Sequence, residues 1–124
     1  MTKILLIEDN EMNRDMLARR LRRQGYWVDL AEDGKRALAL CDAERYDLVL
    51  LDVMMPEMDG ITTFGHLQDD PATRDIPVVL LTAKSHVGPN QPWDGLAVSG
   101  VLAKPFSPME LPRDVAALLG WETR

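Results

Sequence analysis

The chain has one cysteine, Cys41, in 124 residues. A disulfide within the chain is therefore excluded, which suits a reducing compartment. Cys41 stands among Ala37, Leu38 and Leu40, so it reads as a small core residue rather than a nucleophile. Basic charge is also scarce: 14 Lys and Arg against 20 Asp and Glu leave a net charge of -6. Binding to a phosphate backbone needs a basic surface, so the balance argues against direct nucleic-acid binding. The local concentration Arg19, Arg20, Arg22 and Arg23 lies on an amphipathic stretch and reads as a solvated face. Long hydrophobic runs are missing as well. The apolar run from Ile4 to Ile7 is too short for a secretory signal or a membrane span, so the cytoplasm is the expected location. His66 and His86 stand without nearby partners and receive no catalytic or metal role. No internal repeat, linker or low-complexity tract interrupts the chain.

The length fits one compact domain, taken as residues 1–124, with a real hydrophobic core. With 46% apolar and 27% charged residues, the composition is that of an ordinary globular protein. Short apolar runs alternate with longer amphipathic stretches. Strands are predicted at residues 3–7, 26–31, 47–52, 77–82 and 101–103. The first helix is predicted over 11–24, with Met16, Leu17 and Leu21 at helical spacing and Gly25 as its stop. A second follows Asp33-Gly34 and carries Ala37, Leu38 and Cys41 on one face. A third follows the turn-like Pro56-Glu57-Met58-Asp59-Gly60 and carries Ile61, Phe64 and Leu67. Ser107-Pro108-Met109-Glu110 resembles a capping box opening a last helix to about Leu119, which Pro112 should kink or restart. Continuous apolar strands alternating with helices imply right-handed crossovers. The expected fold is therefore α/β, a doubly wound, five-stranded parallel sheet of the flavodoxin-like kind. Residues 84–100 break the rhythm. Two prolines and three glycines there predict a loop, or a short distorted helix, where a fourth helix is due.

In such a sheet, ligands bind beyond the carboxyl ends of the strands. Those ends carry Glu8 and Asp9, then Asp52, then Thr82, then Lys104. Three carboxylates packed together repel one another, and a divalent cation relieves that cost. A small set of oxygen ligands suits Mg²⁺, which keeps several waters and shares the remainder with a phosphate. A carboxylate beside that ion can attack phosphorus and form an acyl phosphate. Phosphoryl transfer asks for little beyond positioning and charge neutralisation, which Lys104 and the hydroxyl of Thr82 can supply. Singly, each residue is an ordinary strand-end residue; their joint occurrence at four of five strands is what points to Asp52 as a phosphoryl acceptor.

At these residues the chain resembles the receiver domains of two-component response regulators. The matching segments are Leu6-Ile7-Glu8-Asp9-Asn10, Leu51-Asp52-Val53-Met54-Met55-Pro56-Glu57-Met58-Asp59-Gly60, Leu81-Thr82-Ala83 and Lys104-Pro105-Phe106. The opening Glu8-Asp9-Asn10-Glu11-Met12-Asn13 is most similar to stand-alone receivers that work with hybrid histidine kinases. The resemblance implies that Asp52 accepts a phosphoryl group from a kinase phosphohistidine. It implies Glu8, Asp9, Asp52 and the backbone carbonyl of Met54 as Mg²⁺ ligands, Thr82 as the switch hydroxyl and Lys104 as its partner at the phosphoryl group. It further implies a cis Lys104–Pro105 bond and a role for Gly60 in the turn into the third helix. Such a domain catalyses its own phosphorylation and slow dephosphorylation, and turns over no separate substrate. Its partners are a sensor or hybrid histidine kinase and a downstream protein that the sequence does not identify; it would be a monomer or a weak, atypical dimer.

Two departures bear on the output. The family places a tyrosine or phenylalanine three residues before the site lysine; here that residue is Val101, which cannot swing a ring between buried and exposed positions. The altered segment 84–100, which carries Trp93, then becomes the expected element that phosphorylation reorders. Met54 and Lys84, two residues beyond Asp52 and Thr82, govern attack by water in the family; Met54 offers nothing to orient a water, so a long-lived acyl phosphate is expected. Met54 also argues against a phosphatase of the haloacid dehalogenase type, which needs an acid at that position. The competing expectation is a receiver-like interaction module that works without phosphorylation. The chain stops soon after the last predicted helix, which fits a stand-alone receiver or a piece of a longer regulator.

Overall fold

The computed structural model describes residues 2–53, 60–83, 98–104 and 111–120, with Ala83, Ala103, Lys104, Leu111, Pro112, Leu118 and Leu119 described by backbone alone. The elements follow the expected alternation. They are β1 Lys3–Ile7, α1 Glu11–Arg23, β2 Trp27–Ala31, α2 Gly34–Ala43, β3 Leu48–Asp52, α3 Gly60–Asp69, β4 Val78–Ala83, β5 Gly100–Lys104 and α4 Leu111–Leu119. All pairings are parallel, in the order β2-β1-β3-β4-β5. β1 therefore pairs with β2 on one side and β3 on the other. The chain reverses its direction of travel there, opening a crevice at the carboxyl ends of the central strands.

Each face of the sheet has its own core. Leu5, Ile7, Val49, Leu51, Val78 and Leu80 pack with Ala37 of α2 and with Phe64 and Leu67 of α3. Ile4, Leu6, Leu48, Leu50, Val79 and Leu81 pack with Leu17, Ala18 and Leu21 of α1 and Val115 of α4. Alternate residues of one strand supply both cores, which is why the central strands read as unbroken apolar runs. Each fully buried Leu or Ile stabilises the fold by roughly 1.5–3 kcal/mol relative to exposure.

The helix ends follow local chemistry. Asn10 caps α1 by accepting from the Asn13 N–H at 2.9 Å, and Asp33 caps α2 by accepting from the Arg36 N–H at 2.8 Å. Gly25 adopts a φ of 92° just past α1, a conformation that costs glycine little. Pro112 is the second residue of α4 as described.

Met16 and Cys41 depart from the expected burial. Met16 is 44% exposed; the buried stripe of α1 is Leu17, Ala18 and Leu21. Helical spacing shows which residues share a face, and α1 turns the Leu17–Leu21 side to the sheet, leaving Met16 at its margin. β2 lies at the sheet edge and leaves Trp27 half exposed. Its indole N–H donates to Asp29 at 3.0 Å, and its ring lies under the Lys3 ammonium at 5.6 Å. Cys41, expected in the core, is half-buried at the edge of the α2–α3 side. Val101 is half-buried against that same core. The loop or short helix expected within 84–100, together with Trp93, falls almost wholly outside the described residues; only 98–100 are described, and Gly100 already belongs to β5. The expected capping box at 107–110 also lies outside them.

Candidate functional site

The carboxyl ends of β1 and β3 bring Glu8, Asp9 and Asp52 together. One carboxylate oxygen from each lies within 4.8 Å of the others. Glu8 and Asp52 are almost fully buried, at 1% and 2% exposure, while Asp9 faces solvent. Carboxylates held this close repel one another when charged, and the burial of two of them limits screening by water. The cluster thus calls for a cation, and an all-oxygen donor set of this size suits Mg²⁺ better than a transition metal.

The backbone explains how these groups are held. The Glu8 N–H donates to the Ala31 carbonyl at 3.1 Å, continuing the β1–β2 ladder one residue past the strand. The Glu8 carbonyl accepts from the Arg14 guanidinium at 3.0 Å, and its Oε1 accepts from the Asn10 N–H at 3.3 Å. The turn carrying Glu8 and Asp9 is thereby tied to the first turn of α1. Asp52 is the last residue of β3 and sits opposite Leu81 of β4; the following Val53 N–H donates to the Leu81 carbonyl at 3.0 Å.

Thr82 lies next to Leu81 in β4, paired in register with Ala103 of β5. Its side chain is fully buried, and its Oγ1 has no hydrogen-bond partner among the described residues. Leaving a buried hydroxyl unsatisfied costs about 1–3 kcal/mol, so a donor-capable oxygen in this place is poised for a ligand atom. The backbone of Lys104 pairs with Ala83, which puts the residue at the same sheet edge. The Lys104 side chain, the Met54 carbonyl and the Lys104–Pro105 bond lie outside what the structure describes.

Glu8, Asp9, Asp52 and Thr82 therefore stand where the sequence reading expected them. Arg14 was missed. Its contact spans six residues and is made to a backbone oxygen, so no side-chain pattern announces it. Asn10 stands directly before a helical run, where an amide residue is a legible capping signal.

A doubly wound parallel sheet of order 2-1-3-4-5 with an acidic crevice at its switch point belongs to the flavodoxin-like class of α/β domain, and no glycine-rich phosphate loop follows β1 as in a dinucleotide binder. More particularly, the chain belongs to the response regulator receiver domain family, which it matches over residues 4–116. Among curated proteins it is 41% identical over 116 residues to the response regulator PleD of Caulobacter vibrioides, covering 94% of this chain and 26% of PleD. It is 38% identical over 118 residues to the transcriptional regulatory protein ResD of Bacillus subtilis, covering 95% of this chain and 48% of ResD. The chain thus spans between about a quarter and a half of the length of these relatives. Among solved structures it superposes on the chemotaxis protein CheY4 of Vibrio cholerae with a TM-score of 0.87 at 30% identity, covering 95% of this chain and 98% of that one. The receiver domain of the sensor histidine kinase PA1611 of Pseudomonas aeruginosa, solved with a magnesium ion in its active-site cleft, gives a TM-score of 0.84 at 33% identity, covering 96% and 98% of the two chains. Receiver domains of two-component systems take phosphoryl groups from histidine kinases. Among the described residues no helix is long and apolar enough to cross a membrane.

Proposed function

We propose that this chain is a phosphoacceptor switch in which Asp52 takes a phosphoryl group from the phosphohistidine of a sensor or hybrid histidine kinase. The observation that carries this reading is the convergence of Glu8, Asp9 and Asp52 within 4.8 Å. The fully buried hydroxyl of Thr82 at the neighbouring strand end, without a hydrogen-bond partner among the described residues, supports it. A carboxylate oxygen of Asp52 attacks phosphorus, the P–N bond to the kinase imidazole breaks, and the electron pair leaves with the nitrogen. The product is an acyl phosphate on Asp52. Glu8, Asp9 and Asp52, with the Met54 carbonyl, would hold Mg²⁺, which when bound offsets the charge of the transferring group. Thr82 then donates a hydrogen bond to a phosphoryl oxygen, and Lys104 pairs with another. The chain acts on no separate substrate, and the altered surface changes its affinity for a partner protein. The magnesium ion in the receiver domain of PA1611 supports the metal assignment by likeness.

The test is incubation with acetyl phosphate and Mg²⁺ followed by intact mass. The wild type should gain one phosphoryl group, releasing acetate, and Asp52→Ala should gain none. No gain in the wild type at saturating Mg²⁺ would overturn the reading in favour of an interaction module that works without phosphorylation.

A further inference from the structure

Gly60 is the first residue of α3 and is buried. Its N–H donates to the Val53 carbonyl at 3.1 Å, and the start of α3 rests on the peptide that joins Asp52 to Val53. A Cβ on Gly60 would lie 2.6 Å from the Val53 Cα and 2.7 Å from the Asp52 carbonyl oxygen. Both are backbone atoms, so no rotamer change makes room. The positive-φ glycines described are Gly25 and Gly120, and Gly60 is not one of them. Its requirement is space rather than an unusual conformation. On its other side the same peptide is anchored by the Val53 N–H bond to Leu81 of β4 at 3.0 Å. The residue that carries the nucleophile is therefore held between the β4 ladder and the first residue of α3.

We infer that Gly60 is a positioning residue for Asp52. The missing side chain lets α3 buttress the Asp52–Val53 peptide and so sets where the Asp52 carboxylate stands relative to Glu8 and Asp9. This rests on the phosphoacceptor reading and gives Gly60 a different task from shaping a turn. An added methyl must push either α3 or that peptide, and the β4 bonds resist only part of the displacement. A shift of a fraction of an ångström at a reacting group is costly, since ~1 Å of misplacement can cost on the order of a hundredfold in rate.

Gly65 provides a matched control on the same helix, because a Cβ there meets nothing within 4 Å. Gly60→Ala and Gly65→Ala are compared with wild type for Mg²⁺ affinity by calorimetry and for phosphorylation rate by acetyl phosphate at saturating Mg²⁺. Gly65→Ala should match wild type in both. Gly60→Ala should bind Mg²⁺ several-fold more weakly and be phosphorylated about tenfold or more slowly. Values for a folded Gly60→Ala within twofold of Gly65→Ala would overturn the inference. Hydrogen exchange on the wild type tests it even if Gly60→Ala fails to fold. Mg²⁺ should slow exchange of the Gly60 and Val53 amides severalfold, and unchanged exchange at both would sink it. Failure of the wild type itself to accept a phosphoryl group would instead count against the phosphoacceptor reading.

Discussion

At the scale of single residues, Thr82 and Cys41 each make a prediction with a definite sign. The Thr82 hydroxyl is buried without a partner among the described residues, and an unsatisfied hydroxyl there would weaken the resting fold. Thr82→Val keeps the shape and removes the buried oxygen; it should stabilise the protein by about 1 kcal/mol, read from the midpoint of urea unfolding. Thr82→Ala also removes a methyl from a fully buried site and should shift that midpoint the other way. Equal destabilisation by both would mean that the hydroxyl is satisfied in solution. Burial pushes the Cys41 thiol up from 9.0 to about 11, with smaller contributions from Asp42 and Asp70. Since the thiolate is the reactive form, alkylation of the folded protein at pH 8 should be on the order of a hundredfold slower than in urea. The linkage sign follows from a folded pKa above the unfolded one. Cys41 favours the folded state fully below about pH 9 and loses that contribution as pH rises through about 11. A rate in native buffer equal to that in urea would place the thiol in water.

At the scale of elements, two helix caps of the same kind occupy different places. Asn10 caps α1 beside the acidic cluster, and Asp33 caps α2 through an equivalent bond. Asn10→Ala and Asp33→Ala should each cost about 1 kcal/mol of stability by chemical denaturation. Only Asn10→Ala should also weaken Mg²⁺ binding in calorimetry, because the Asn10 N–H reaches Glu8 Oε1 and the turn holding Glu8 and Asp9 depends on how α1 begins. Weakened Mg²⁺ binding in both variants would make the effect a general loss of stability rather than a local one. The edge strand β2 shows another element-level device. Asp29 accepts from the Trp27 indole and from the Tyr46 hydroxyl, at 3.0 and 2.6 Å, so a half-exposed tryptophan is pinned instead of left as loose apolar surface. Burial, with help from the Asp29 carboxylate, holds the Tyr46 phenol well above its usual range.

At the scale of the whole molecule, an ion held by three carboxylates at one sheet edge would make fold and ion interdependent. A ligand that binds only the folded state stabilises it by mass action, about 2.7 kcal/mol at a hundred times its dissociation constant. Mg²⁺ at that excess should therefore raise Tm by several degrees in a thermal melt, EDTA should reverse the gain, and Asp9→Asn should abolish most of it. Asp9 is the useful candidate ligand to change because it is exposed, so its replacement disturbs no core contact. A melt indifferent to Mg²⁺ would remove the metal from the site.

The sequence by itself determined the order and kind of the elements, because runs such as Leu48-Val49-Leu50-Leu51 are apolar at both parities and bury only as central strands. It also determined which residues stand at the strand ends, since chain direction and parallel pairing place Glu8, Asp9, Asp52 and Thr82 on one edge. Only the tertiary structure decided the contacts that neither periodicity nor motif encodes. That Met16 faces outward follows from how α1 is rolled on the sheet. That Arg14 braces the Glu8 carbonyl follows from a side chain reaching back along the chain to a backbone atom. That Gly60 must be glycine follows from the distance between a helix start and a strand end brought together by folding, a separation in space that residue types do not record.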